Sequence, residues 1–390
     1  MIEIDFDRLR TLGLTPALAQ RATAIASAHL AAAMASAQRA APSALANDEM
    51  DLQLMRLTEV HRETVRLHDG NTEHSARPQQ RLVRHLLDDG CALAVGDWVL
   101  AHTDAHGQTW VQALVPPQTH INRRDADGRR HPVVSNVDTA LLVMGLDDDF
   151  NPRRMERYLA LVQAGSVTPV IVLTKADVAS RTPGLLELRV AALHERLPVG
   201  VALLAVDGTD PGTAQRLATW AFAGQTLVVL GSSGAGKSTL TNTLLGEAVQ
   251  DTGAVREHDS RGKHTTTSRS LHRLPGGACV IDTPGLRTLR PDVDEATLAA
   301  TFDDIGSLAL QCRFRDCRHE GEPGCAVREG VDHDRLRNFH KLLREVKRDT
   351  LTPLQRQQQV SVYKQRAKAF KARDRRDGSG GSGGSGGTER

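Results

Sequence analysis

"LGSSGAGKSTL", residues 230–240, decides the fold. Gly231 to Ser238 match G-x-x-x-x-G-K-[ST] in full, with the apolar run "TLVVL" before them and the helical pattern "STLTNTLLG" after. Glycines let successive backbone N–H groups turn toward phosphate oxygens, and the helix N-terminus that follows adds its positive end. Candidate phosphate-binding residues are therefore Gly231, Ser232, Ser233, Gly234, Ala235, Gly236, Lys237, Ser238 and Thr239. Lys237 is expected at the β- and γ-phosphates and the Ser238 hydroxyl on Mg²⁺.

Toward the C-terminus, "ACVIDTPGL" (278–286) reads as a buried strand ending in the D-x-x-G sequence Asp282 to Gly285. Asp282 is placed to hold Mg²⁺ through water, and the Gly285 N–H to meet the γ-phosphate. Between the two motifs lies "RGKHTTTSR" (261–269), polar and without core periodicity. Thr266, central among Thr265, Thr266 and Thr267, is the candidate to complete the Mg²⁺ shell, so that the segment orders on the triphosphate and relaxes after hydrolysis. The residue after D-x-x-G is Leu286, which cannot orient an attacking water. His264 is the nearest polar candidate for that catalytic task, the alternative being an exposed loop histidine. Gly234 stands where some GTPases use Asn for a K⁺ ion, so no K⁺ is expected.

Toward the N-terminus, "VLTKADVAS" (172–180) contains Thr174-Lys175-Ala176-Asp177, similar to the guanine-reading sequence N-K-x-D. Asp177 accepts from guanine N1–H and N2–H₂, whereas adenine leaves that carboxylate without donors, at about 1–3 kcal/mol. Lys175 is expected along the base plane. Thr174 keeps a hydroxyl but lacks the second polar arm of Asn, which weakens the expected tether to the phosphate loop. The last base-reading loop, near Ala205-Val206-Asp207, is not distinct in the sequence.

The base reader thus precedes the phosphate loop, the reverse of the ordinary order. Apolar runs at 139–146, 169–173, 199–206 and 225–231 alternate with helical patterns, which implies a mostly parallel sheet with helices on both faces. Nucleotide contacts in such a sheet gather at its C-terminal edge. Moving the chain's entry point to another surface loop reorders those contacts in sequence without moving them in space. A circularly permuted GTPase domain follows.

From about 50 to 130, short alternating apolar runs separated by turn residues suggest a small antiparallel barrel of the oligonucleotide-binding (OB) kind. Trp98 and Trp110 are expected in its core. Arg123, Arg124, Arg129 and Arg130 in "INRRDADGRRHP" are candidates for contact with a nucleic-acid backbone, or simply a solvated basic loop. The first 45 residues are Ala-rich and read as a helical extension without assignable chemistry.

Cys312-x₄-Cys317-x-His319-x₅-Cys325 supplies three thiolates and an imidazole, a complete tetrahedral shell for one structural Zn²⁺. A disulfide with a spare thiol is the alternative. Cys279 reads as core, and Cys91 has no evident partner. With 390 residues, 25% charged and 40% hydrophobic, the chain has the composition of a multidomain globular protein, and no apolar run spans a bilayer. The opening "MIEIDFDRLR" lacks a signal pattern, so a cytoplasmic protein without membrane contact is expected. The net charge of +2 says little, but Lys341 to Arg376 is locally basic. The Gly/Ser run at 378–387 has the composition of a flexible linker.

Taken together, the barrel, the permuted motifs with "GKHTTT" and the cysteine cluster resemble the small-ribosomal-subunit-dependent GTPase A family, RsgA or YjeQ. The resemblance covers roughly residues 50–350. It implies a multidomain α/β chain: an OB-fold, a permuted P-loop GTPase domain and a zinc-binding helical domain. It also implies a GTPase acting late in maturation of the small (30S) subunit and stimulated by it, with His264 at the position of the family's catalytic histidine. The expected divisions are 1–48 extension, 49–132 barrel, 133–303 GTPase domain, 304–376 zinc-binding and basic helical region, and 377–390 tail. Expected partners are GTP or GDP and the small subunit with its rRNA, met by a monomer. Alternatives are a GTP-gated RNA-binding assembly factor with secondary hydrolysis, a large-subunit permuted GTPase, and a P-loop ATPase or kinase.

Overall fold

The computed structural model describes residues 2, 4–40, 51–124, 129–247, 269–284 and 290–349. The Ala-rich N-terminus forms α1 (Phe6–Arg10), capped by the Asp5 carboxylate, and α2 (Pro16–Ala40). The Thr15 hydroxyl accepts from the Leu18 N–H at 3.3 Å, and Pro16 sits in the first turn, where a missing N–H costs nothing. Leu18, Ala22 and Ala26 recur at helical spacing and are buried, together with Leu9, Leu12 and Leu14, in the main core. The segment read as a plain extension is thus built into the body of the protein.

Strands β1 (Gln53–Val60), β2 (Val65–His68), β3 (Glu73–Pro78), β4 (Trp98–Thr103) and β5 (Thr109–Val115) pair in the order β1-β2-β3-β5-β4, and β4 returns to β1. The sheet therefore closes into a five-stranded barrel, with β3 and β5 parallel and α3 (Gln80–Asp88) between β3 and β4. This is the OB order. Trp98 is fully buried. Trp110 is half-buried, and its indole N–H donates to Asp104 at 3.0 Å.

The hairpin β6 (His120–Arg124) and β7 (Arg130–Ser135) leads out of the barrel. The nucleotide domain then runs β8 (Thr139–Gly145), α4 (Pro152–Ala164), β9 (Thr168–Thr174), α5 (Ala176–Ala179), α6 (Leu185–His194), β10 (Ala202–Ala205), α7 (Gly212–Leu217), β11 (Thr226–Gly231), α8 (Lys237–Leu245), β12 (Ser270–Arg273) and β13 (Cys279–Asp282). Spatially the order is β10-β9-β8-β11-β13-β12, parallel through β13, with β12 antiparallel at the end. Every residue of β8 and β11 is buried, as expected of strands covered on both faces. The sheet does not stop at β12. Ser270 lies opposite Asp282 on one side and opposite Glu59 of the barrel on the other.

Strand β14 (Arg290–Pro291) adds to the edge of β6, and the helices α9 (Glu295–Thr301), α10 (Asp303–Ala309), α11 (Ala326–Gly330) and α12 (His333–Asp349) follow. They enclose their own core of Leu298, Phe302, Ile305, Val327, Leu342 and Val346. Asp292, after β14, takes ion pairs from Arg124 at 2.6 Å and Arg130 at 2.7 Å. Two of the four arginines read as backbone contacts therefore already serve an internal carboxylate. No helix among the described residues is long and apolar enough to cross a membrane.

Candidate nucleotide site and metal centre

Strand β11 delivers Gly231 to the sheet's rim, where a Cβ would strike the Val143 carbonyl of the neighbouring strand. Gly236, at φ +88°, turns the chain into α8, and its own Cβ would stand 3.2 Å from the Thr174 hydroxyl. Only glycine fits that combination of left-handed backbone and close approach. Ser233 is exposed, and Ser238 and Thr239 sit half-buried in the first turn of α8. The Lys237 side chain folds back and donates to the Ser232 carbonyl at 2.7 Å. Burial lowers its pKa, while the charges of Asp282 and Asp149 work to raise it. Asp282 is fully buried at the end of β13, in register with Val229 of β11. A carboxylate at a strand end and a lysine in the first turn of the neighbouring helix suit a Mg²⁺-bound phosphate.

Thr174 ends β9, is fully buried, and donates its hydroxyl to the Ala235 carbonyl at 2.6 Å. The tether expected to weaken when Thr replaces Asn is present. Lys175 adopts a left-handed φ of 61°, which sends its Nζ to the Gly234 carbonyl at 2.8 Å and to Asp147 at 2.6 Å. The Asp177 carboxylate remains exposed, with Arg181 at 3.8 Å beside it. Base loop and phosphate loop are therefore fastened to each other, although residues 174 and 235 lie far apart in sequence.

Two features escaped the sequence. The loop after β10 lies against both neighbours: the Ala176 N–H donates to Val206 O at 3.2 Å, and the Thr243 hydroxyl to Gly208 O at 2.6 Å. The sequence pointed to this segment near Ala205-Val206-Asp207 without a distinct motif, and it stands beside both the Thr174 loop and α8. The second is the acidic run Asp147-Asp148-Asp149, whose members bond to Lys175 and to Ser232. His264, Thr266 and Gly285 lie outside the described residues.

In the C-terminal region the ligand atoms of Cys312, Cys317, His319 and Cys325 lie within 4.8 Å of one another. Cys312 Sγ is 3.9 Å from Cys325 Sγ and 3.7 Å from His319 Nδ1, which is itself 3.4 Å from Cys325 Sγ. A tetrahedral ion with about 2.3 Å bonds to sulfur and about 2.0 Å to nitrogen requires edges of roughly 3.5–3.8 Å. The four side chains fit such an ion. Arg313 and Gly324 close the loop by an N–H···O bond of 3.1 Å, and the Glu322 carboxylate accepts from the N–H groups of Arg318, Glu320 and Gly321. Cys279 is buried in β13, as its apolar run implied, and Cys91 is exposed.

A parallel sheet whose base-reading loop precedes its phosphate loop is the mark of a circularly permuted GTPase. The comparisons with known proteins agree. The family model for the RsgA GTPase matches residues 114–291, and one for the ABC transporter matches residues 215–388, a range that shares the phosphate loop. The small ribosomal subunit biogenesis GTPase RsgA of Xanthomonas campestris pv. campestris (strain B100) is 49% identical over 260 residues, 65% of this chain and 69% of that one. That of Xanthomonas oryzae pv. oryzae (strain MAFF 311018) is 48% identical over the same shares. The crystal structure of YjeQ from Thermotoga maritima shares the fold at a TM-score of 0.53 and 22% identity, over 76% of this chain and 98% of that one. YloQ, a circularly permuted GTPase, does so at 0.52 and 22%, over 79% and 100%. The chain belongs to the RsgA GTPase family.

Proposed function

We propose that this GTPase engages the small ribosomal subunit late in its maturation and that the subunit stimulates its hydrolysis of GTP. The observation that carries the nucleotide half is the Thr174 to Ala235 bond of 2.6 Å, which fastens a guanine reader to a phosphate loop on one rim. The relatives' name, small ribosomal subunit biogenesis GTPase, supports the other half. In this reading Asp177 recognises guanine, Lys237 and the N–H groups of the loop bind phosphates, and Ser238, Asp282 and Thr266 would hold Mg²⁺, which would supply positive charge to the phosphates. His264 orients or deprotonates the attacking water, and Gly285 meets the γ-phosphate. Zn²⁺ at Cys312, Cys317, His319 and Cys325 is structural. The barrel and the basic stretch after Lys341 meet rRNA, and the protein works in the cytoplasm as a monomer built from the units expected from its sequence.

The decisive experiment is hydrolysis of GTP and of ATP with and without purified small subunits. GTP hydrolysis is expected to rise on adding subunits, and ATP hydrolysis is not. His264→Ala should cut the stimulated rate by about a hundredfold while GDP still binds. If stimulated hydrolysis survives that change, the catalytic role of His264 is wrong. If subunits bind in a GTP-dependent way but never accelerate hydrolysis, the protein is a GTP-gated RNA-binding factor instead.

A further inference from the structure

We propose that the acidic loop between β8 and α4 positions both halves of the nucleotide site, Asp149 acting through Ser232 and Asp147 through Lys175. The proposal rests on the guanine-nucleotide reading of the pocket. Asp149 accepts the Ser232 hydroxyl at 2.7 Å on one carboxylate oxygen and 2.9 Å on the other. It also accepts the Gly145 N–H at 3.2 Å and pairs with Arg154 at 2.6 Å. Asp147 holds Lys175 at 2.6 Å, while Arg189 of α6 ties the same loop down by donating to the carbonyls of Leu146 at 2.7 Å and Asp147 at 3.2 Å.

A carboxylate beside a phosphate-binding loop is electrostatically adverse, because it repels the ligand the loop exists to bind. Here Arg154 neutralises that charge, leaving the hydrogen bond to Ser232. A glycine-rich loop loses much conformational freedom on binding, and ordering it beforehand removes that cost from the affinity. Bonds to ionised acceptors are the stronger kind for this purpose. With Asp149 on Ser232, Lys175 on Gly234 and Thr174 on Ala235, the protein itself holds the loop at three points. Asp147 sets the lysine that spans from the base loop to the phosphate loop, so it bears on base preference rather than on phosphate grip.

The test uses the full chain with fluorescent GDP and ADP and with single-turnover GTP hydrolysis. Ser232→Ala and Asp149→Ala should each weaken GDP binding roughly tenfold, and the double variant should be no weaker than Asp149→Ala alone, since that variant has already lost the Ser232 bond along with those to Gly145 and Arg154. Asp149→Asn, whose amide oxygen still accepts the hydroxyl, should recover part of that loss. Neither change should alter the ratio of GDP to ADP affinity, whereas Asp147→Ala should lower it. Additive losses, or an unaffected Ser232→Ala, would overturn the role of Asp149. If the variants shift only the melting temperature, the loop is merely structural and the proposal fails. A wild-type protein with no preference for GDP sinks the guanine reading and the Asp147 role with it, while the Asp149 cycle is still decided by either nucleotide.

Discussion

The nucleotide domain meets its two neighbours through opposite chemistry. On the barrel side the contact combines backbone pairing with a buried arginine: Arg56 of β1 reaches the Leu12 carbonyl, the Thr226 hydroxyl at 2.8 Å and the Asn136 carbonyl at 2.8 Å, and lies over the Trp98 ring. Its hydrogen-bond acceptors are all neutral. On the C-terminal side, α4 and α12 meet through carboxylates. Glu156 is fully buried and takes Arg335 at 2.9 Å and Asn338 at 2.5 Å, Arg335 also pairs with Asp304 at 2.7 Å, and Arg157 grips Glu345 through two bonds of 2.6 and 3.0 Å. One junction relies on shape and satisfied dipoles, the other on charge balance. Loss of a partner is costly in both, but acid and metal should distinguish them.

The largest separation should come from removing metal. Apparent zinc affinities in small metal-folded domains correspond to about 10–16 kcal/mol, so chelation is expected to unfold the segment around Cys312 to Cys325 and loosen α12 from α4. GDP binding should survive, because Arg56 and the barrel seam do not depend on the cluster. Circular dichroism with parallel GDP titration checks this, and simultaneous loss of both would mean the two sides are one cooperative unit. A smaller effect is expected from Arg335→Met, about 3–5 kcal/mol by urea unfolding, because Glu156, which is buried, and Asp304 both lose their nearest cation. Arg56→Met should cost less, about 2–4 kcal/mol, since it strands only neutral acceptors. An inverted ranking would overturn the contrast.

The gentlest probe is pH. Burial pushes Asp97 of the barrel junction up to about 6, against the Ala94 N–H, Ser135 and Arg56. A folded value above the unfolded 3.8 means that the folded protein holds the proton more tightly. The stability linked to Asp97 is therefore full below pH 3.8 and lost as pH climbs through 6. Asp304 behaves oppositely: burial works to raise it, Arg335 prevails, and its contribution is lost as pH falls below its ordinary 3.8. Between pH 4 and 7 the urea midpoint of Asp97→Asn should gain on that of the wild type as pH rises. Equal slopes would remove Asp97 from the account.

Much of the site was legible because its chemistry is local. The phosphate loop and the cysteine cluster are contiguous patterns, and a strand-then-glycine context is enough to place them. What could not be read depends on distant partners. Thr174 looked like a weakened Asn until the fold brought the Ala235 carbonyl within 2.6 Å of it. Asp147 and Asp149 sit in an acidic run that matches no nucleotide-binding motif. Arg124 and Arg130 looked free because Asp292 is remote in sequence. Arg56 carried a signal that alternation alone could have raised, a cation within the apolar run "LQLMRL", but nothing local named its acceptors. The N-terminal leucines show the same limit: propensity gave the helices, and only packing showed what they cover.

Ser270 has Glu59 of the barrel on one flank and Asp282 of the nucleotide pocket on the other. Neighbouring strands stand about 4.8 Å apart, so a pull on the barrel crosses two such steps to reach the end of β13. Among the described residues that path runs through paired strands alone. The barrel and the nucleotide rim are thus adjacent threads of the same fabric.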